Sequence, residues 1–366
     1  MTATSTEDLS KLSKAKEPNW PAVLFFIHIH LLSLYGIWCF FFEAKLLTVI
    51  FLVFLTLIPI LGVTAGAHRL WAHRTYNASV ELRIVLMICQ TMAGLGPIYN
   101  WVQNHRFHHA YFKTDSDPYD TTKGFFHAHF ATRIRSISQY GAALKNSIDM
   151  SDLEEDSVVM FQKRFYWVLY GIFFLLLPLN APLEYWDETV LSTVFVIGFL
   201  RYALLLHGSW LLESGVCLWG LKEGEKYPPD SNTVFLLNRT FWPEYHYIFP
   251  HDYKSGEYGT YGEIIQIPKI VMDKTFSLLV TCDARRASTK NLRLRFTCYF
   301  ISGSGCTTAF IRVFAALGYA TNLSTMKSNT LQKALAEFAK TKRPIKECFK
   351  DAISKQSLAE DHFLLN

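Results

Sequence analysis

Four long apolar stretches, residues 22–42, 46–67, 165–181 and 189–207, limit what this chain can fold into more than any other feature. Each is close to the roughly 20 residues a helix needs to cross about 30 Å of hydrocarbon. Only Glu43, Ala44 and Lys45 separate the first two, which predicts a tight helical hairpin. The acidic run Pro182-Leu183-Glu184-Tyr185-Trp186-Asp187-Glu188 joins the second pair as a short connector. Charged residues are 18% of the chain, against about 25% in a soluble domain, so a water-soluble globule is excluded. The fold expected is an all-α integral membrane protein with four transmembrane helices in two hairpins.

The rest of the composition narrows the class. Net charge is +5 with no basic stripe interleaved with aromatics, so no nucleic acid is expected as a partner. Seven cysteines without a CxxC spacing argue against a disulfide framework and a zinc ribbon. The polar opening residues have no apolar core of the kind a cleaved secretory peptide needs. The two hairpin turns hold only Lys45, whereas residues 67–164 hold eleven Lys and Arg. That bias predicts both termini and the long middle segment on the cytosolic side, as a helical cap over the hairpins.

The cap is rich in histidine. His68 and His73 stand where the second apolar stretch ends, and His105, His108 and His109 follow the mostly apolar segment 82–98, which is too polar at its edges for a fifth span. On an α-helix, positions i, i+3 and i+4 share a face, so the last three can converge. His68 and His73, five apart, would be separated by about 140° on an ideal α-helix. That angle suits ligands for two ions better than for one. Either cluster alone has a plain reading, a basic membrane edge or a packed helix face; both together point to metal. Neutral imidazole suits iron, copper and zinc, and Asp117 and Asp120 could accept from the far ring nitrogens. His28 and His30, inside the first stretch, read as packed or interfacial side chains rather than ligands.

The run Gly62-Val-Thr-Ala-Gly-Ala-His68-Arg-Leu-Trp-Ala-His73-Arg74 resembles the first histidine box of the membrane fatty acyl-CoA desaturases. Trp101-Val-Gln-Asn-His105-Arg-Phe-His108-His109, with Thr114-Asp-Ser-Asp-Pro after it, resembles the second box. Ser151-Asp-Leu-Glu, Val158-Val-Met-Phe-Gln, Phe199-Leu-Arg-Tyr and His207-Gly-Ser-Trp210-Leu are similar to the insect branch of that family. The likeness implies an endoplasmic reticulum enzyme, multi-pass, with a di-iron (Fe2+) centre and O2 as co-substrate. It further implies cytochrome b5 and its reductase as electron source, and a double bond inserted into a long-chain acyl-CoA. No acid or base side chain could attack an unactivated methylene, so an oxidising cofactor is required. The implied metal ligands are His68, His73, His105, His108, His109 and His246; the implied substrate contacts are Trp210, as a wall of the acyl tunnel, and Asn104, which stands where the family has an acidic residue.

The third box departs from the family pattern. Pro243-Glu244-Tyr245-His246-Tyr247 stands where His-Asn-Tyr-His-His is usual, and an Asn and a His upstream are replaced by Glu213 and Cys217. Glu213, Cys217 and Tyr247 carry oxygen or sulfur and could complete a rearranged centre; the alternative is an inherited fold whose centre has decayed. The function expected is therefore acyl-CoA desaturation. The competing readings are an impaired pseudo-desaturase with a binding or regulatory role, or a related di-iron hydroxylase. Arg133 and Arg135 stand near the family's head-group position. Along the chain the resemblance implies a cytosolic tail over 1–21, a desaturase-like membrane domain over 22–259, an insert over 260–306 and a cytosolic C-terminal segment over 307–366.

Overall fold

The computed structural model describes residues 12–219, 243–254 and 306–325, with single positions between 334 and 360. The chain forms two compact units, residues 1–218 and 219–366. Among the described residues of the first unit, four helices are long and apolar enough to cross a membrane: α1 (Trp20–Phe42), α2 (Leu46–Ala72), α7 (Ser157–Trp186) and α8 (Val190–Ser214). Between α2 and α7 lie α3 (Val80–Thr91), α4 (Ile98–Ala110), α5 (Phe125–His129) and α6 (Gln139–Asn146). Segment 82–98 thus forms a 12-residue helix and a turn, too short to span.

The spanning helices run beyond the apolar stretches that announce them. Hydropathy sees only the lipid-covered part, whereas backbone hydrogen bonding carries α2 to Ala72 and starts α7 at Ser157, through Gln162, Lys163 and Arg164. The acidic connector is mostly helix too: α7 takes Pro182 inside and stops at Trp186, where Asp187 adopts φ +50°. At the other end of α1, Asn19 caps the helix by accepting from the Ala22 amide at 3.3 Å, with Pro21 in its first turn.

Packing inside the bundle is close, and the lipid side stays apolar. Cys39 of α1, Leu52 and Leu55 of α2 and Val196, Ile197 and Leu200 of α8 form one buried cluster. Leu24, Leu31, Leu34 and Phe41 are exposed on α1, the kind of surface a bilayer covers. The two hairpin turns are clasped together. The buried Glu188 carboxylate accepts from the Lys45 amide at 2.8 Å and from the Thr48 hydroxyl, and Lys45 Nζ donates to the Trp186 and Asp187 carbonyls at 2.9 and 2.6 Å. Among the described residues three stretches are π-helical: Gly62–Ala72 in α2, Gly171–Leu176 in α7 and Thr193–Leu200 in α8. The wider turn changes which carbonyls are used, and the fully buried Arg201 donates to one of them, Phe174 O, at 2.6 Å.

A buried amide network sets where α4 begins. Gln162 Nε2 donates to Gln90 Oε1 and Thr91 Oγ1 at 2.6 and 2.9 Å, while its Oε1 accepts from the Ile98 amide at 2.8 Å. Gln90 Nε2 in turn donates to Gly96 O at 2.9 Å. The turn between α3 and α4 needs positive φ at Gly94 and Gly96 (+70° and +87°), a region costly for residues with a Cβ.

The second unit contains α9 (Pro243–Ile248) and α10 (Cys306–Ala316). Buried Asp252 accepts from the Thr325 hydroxyl at 3.0 Å and the Lys254 amide at 2.8 Å, and Ser324–Thr325 pairs antiparallel with Ala359–Glu360. Residues 1–11 of the expected tail and 260–305 of the expected insert lie outside the described residues.

Candidate metal centre

The π-helical register of α2 brings the first two histidines together. In a π-helix hydrogen bonds run i to i+5, and the His73 amide donates to His68 O at 3.1 Å. Residues five apart then return to nearly the same face, so the α-helical separation does not apply. The His68 and His73 rings lie 4.9 Å apart. From α4, His105 sits 4.7 Å from the His68 ring and 4.9 Å from His73, with the His73 and His105 Nε2 atoms 2.9 Å apart. Nitrogens of these three buried rings all lie within 4.8 Å of one another. His109 comes from the same face of α4, 4.4 Å from His73 and 4.6 Å from His105.

Neighbouring groups hold these rings in the form that binds metal. Burial pushes the pKa of His105 below its ordinary value, keeping the imidazole neutral. Its ring stacks on Trp101 at 5.1 Å. His108 is fully buried, and its Nδ1 donates to Asp117 Oδ1 at 2.7 Å; the same oxygen accepts from the Tyr119 amide at 2.9 Å. Donation from Nδ1 leaves the lone pair on Nε2, the arrangement a carboxylate imposes on a metal-binding histidine. Asp120, the other carboxylate singled out, pairs instead with Lys123 at 2.5 Å. The frame behind the rings is ionic: Arg106 and Arg74 of the cap meet Asp152 at 2.7 and 2.8 Å, and Arg106 also donates to Trp71 O at 2.7 Å.

Asp117→Asn removes the charge and keeps the shape. It is expected to weaken binding of a divalent transition metal about 10-fold or more, measured by competition with a chelator on purified protein, with the thermal midpoint nearly unchanged.

The remaining sequence-selected residues take different places. Glu213 is buried 3.9 Å from His105 Nδ1 and pairs with Arg133 at 3.2 Å. Arg133 also lies over the Tyr119 and Trp210 rings, at 4.3 and 5.4 Å, so it is turned inward, whereas Arg135 is exposed. The Cys217 thiol, its pKa raised by burial, donates to Thr121 O at 3.5 Å. Asn104 is half-buried on α4. Trp210 is buried on α8 with Phe26 edge-on at 5.2 Å. In the second unit His246 is buried on α9 and Tyr247 half-buried beside it, rings 5.7 Å apart.

A narrow apolar cleft is lined by Ile60, Val63 and Thr64 of α2, Leu95, and Leu205, Ser209 and Leu212 of α8. Trp101 connects it to the rings, stacked on His105 and donating from Nε1 to Ser209 Oγ at 3.5 Å. Trp101 and His207 appear in the sequence only inside longer runs of resemblance, with no role attached, and His129 lies outside them; for the two histidines the further signal is the surplus of histidine outside the boxes.

No family model matches the chain. Among curated proteins, it is 36% identical over 317 residues to an acyl-CoA Delta-9 desaturase of Acheta domesticus, covering 86% of this chain and 77% of the relative. The stearoyl-CoA desaturase of Homo sapiens is 37% identical over 246 residues, 65% of this chain and 67% of the relative. A (11Z)-hexadec-11-enoyl-CoA conjugase of Bombyx mori is 31% identical over 314 residues, 85% and 82% of the two chains.

Proposed function

The chain belongs to the membrane acyl-CoA desaturases, and on that premise we propose that its histidines hold two iron ions which use O2 to place a double bond in a long-chain fatty acyl-CoA. It is an oxidoreductase of unsaturated fatty acid biosynthesis. Each turnover takes two hydrogens from the chain, and two electrons and two protons from outside complete the reduction of O2 to two waters. The relatives act as desaturases and a conjugase, which favours this reading over a hydroxylase or an inactive homologue.

The observation that carries the proposal is the group of buried rings from α2 and α4, with nitrogens within 4.8 Å. Buried imidazoles beside an orienting carboxylate, with burial favouring the neutral form at His105, are a donor set that fits a transition metal. When bound, the iron centre supplies the oxidising power that an unactivated C–H bond demands. The protein's share is to hold and to exclude. His68, His73, His105, His108 and His109 are the ligands assigned in the first unit, and the resemblance adds His246 of the second. Asp117 orients His108, and Glu213 balances charge beside His105 and Arg133. Cys217 and Tyr247 stay outside this ligand set.

In this reading the acyl chain lies along the apolar cleft, whose Leu95 wall Trp210 backs, with Asn104 and exposed Arg135 toward the polar end of the substrate. Electrons come in this reading from cytochrome b5 and its reductase, at the cytosolic face of the endoplasmic reticulum membrane. The Lys and Arg excess of residues 67–164 supports that side for the cap and both termini.

The test is fatty-acid profiling by mass spectrometry in yeast lacking its own desaturase. The natural chain should yield new unsaturated acids and His108→Ala none. A well-expressed natural chain that yields no product overturns the proposal.

A further inference from the structure

Three histidines outside the metal group form one continuous hydrogen-bonded ladder across α1, α8 and the cap. His30 Nε2 lies 3.0 Å from His207 Nε2, and His207 Nδ1 lies 3.0 Å from His129 Nε2. At the ends, His30 Nδ1 is 2.6 Å from Phe26 O and His129 Nδ1 is 2.7 Å from Ser214 Oγ. Both nitrogens of every ring are therefore in use.

These contacts determine the protons. A carbonyl only accepts, so His30 carries its proton on Nδ1 and offers a lone pair at Nε2. His207 must then donate from Nε2 and accept at Nδ1. His129 donates to it from Nε2 and accepts at Nδ1 from the Ser214 hydroxyl. With neutral rings this is the one assignment that satisfies every contact within the ladder, and in it the Ser214 hydroxyl turns to His129 the proton that it otherwise donates to Trp210 O, 2.9 Å away. At His129 burial favours the neutral form: its pKa is pushed down from 6.5 to about 4, first by burial, then by His207 and Arg133, with Glu213 opposing.

The ladder encloses one side chain. The Trp210 indole has His207 edge-on at 5.2 Å and His129 at 5.5 Å. Its buried cluster includes Ile29 and Leu206, with Leu95 packed against it, and Leu95 also lines the apolar cleft. A path of direct contacts thus runs from ladder to indole to cleft wall.

We propose that His207 is a positioning residue for the acyl chain: bonded to His30 on one side and His129 on the other, it fixes Trp210 and so sets which methylenes face the reacting centre. This rests on the reading that the cleft takes the acyl chain. A misplacement of about 1 Å is enough to cost about 100-fold in rate, so a loosened wall alters both rate and position.

The test compares His207→Phe, which keeps a ring and loses both hydrogen bonds, with His207→Gln, which keeps a donor and an acceptor. The Phe variant should keep the natural metal content but give a mixture of double-bond positions, with the Gln variant between the two. The natural rate and a single product position from a metal-loaded Phe variant overturn the proposal. Two readouts do not depend on turnover. Nitrogen-15 spectra of histidine-labelled protein in nanodiscs, with the three ladder signals assigned by substitution, should show His30 as an Nδ1–H ring and His207 and His129 as Nε2–H rings; a different set removes the ladder. Stearoyl-CoA should bind the Phe variant about fivefold more weakly, the worth of roughly one hydrogen bond; equal binding counts against the proposal even if the natural chain proves to have no desaturase activity.

Discussion

His105→Ala is expected to be purified with less than about a tenth of the natural chain's metal and to make no desaturated product. Removing an outer partner of a ligand costs about 10–100-fold in affinity, and removing the central ligand costs at least that. His105 is central in the literal sense, with the His68, His73 and His109 rings 4.7, 4.9 and 4.6 Å away. It is also the ring that meets Trp101 and lies nearest Glu213. The frame around it does not depend on it, because Arg106, Arg74 and Asp152 pair independently, so the variant should still fold. Cys217→Ser is the matched control. Its sulfur faces Thr121 O, and its metal content should stay within about twofold of the natural chain. Elemental analysis of both proteins decides the matter: full metal in His105→Ala, or loss in Cys217→Ser, would show that the ligand set is drawn wrongly.

Much of this was legible before any coordinates, for physical reasons that also explain the rest. Covering a bilayer demands long apolar runs, and residues 22–42 and 46–67 advertise α1 and most of α2 directly. Helix ends are less visible, because Gln162 to Arg164 and Pro182 to Trp186 continue helices by backbone hydrogen bonding that hydropathy does not register. The convergence of His105, His108 and His109 follows from α-helical periodicity. That of His68 and His73 does not, since nothing in Gly62–Ala72 announces a π-helical register. Contacts between remote positions are the least legible of all. His30, His129 and His207 meet across separations of 177 and 78 residues, and His30 on its own reads as ordinary packing. The replacements at Glu213, Cys217 and Pro243 are plain in the sequence; what they do is not, and only the Glu213–Arg133 pair and the Cys217–Thr121 contact give two of them a physical role.

Gly62→Ala should be strongly damaging although Gly62 is no ligand. Gly62 is fully enclosed where α2 enters its π-helical segment, against the backbone of α3. A methyl group there would lie 2.5 Å from the Cys89 carbonyl carbon and 2.6 Å from Cys89 Cβ, and closer still to the Gln90 backbone nitrogen. The neighbours are main chain, so no side-chain rotation relieves the overlap. Nor can α3 retreat easily, because Gln90 and Thr91 are tied to Gln162 at 2.6 and 2.9 Å. Helices α2 and α3 must separate, at a cost of about 3 kcal/mol, lowering the thermal midpoint by about 5–10 °C. The strain reaches the metal site because His68 lies in the same π-helical segment, six residues on. Metal affinity should fall with every ligand still present. Gly171→Ala provides the contrast: its new methyl meets nothing within 4 Å, and stability should change by no more than about 0.5 kcal/mol. A Gly62→Ala protein with the natural midpoint and metal content would mean that the α2–α3 approach does not position His68.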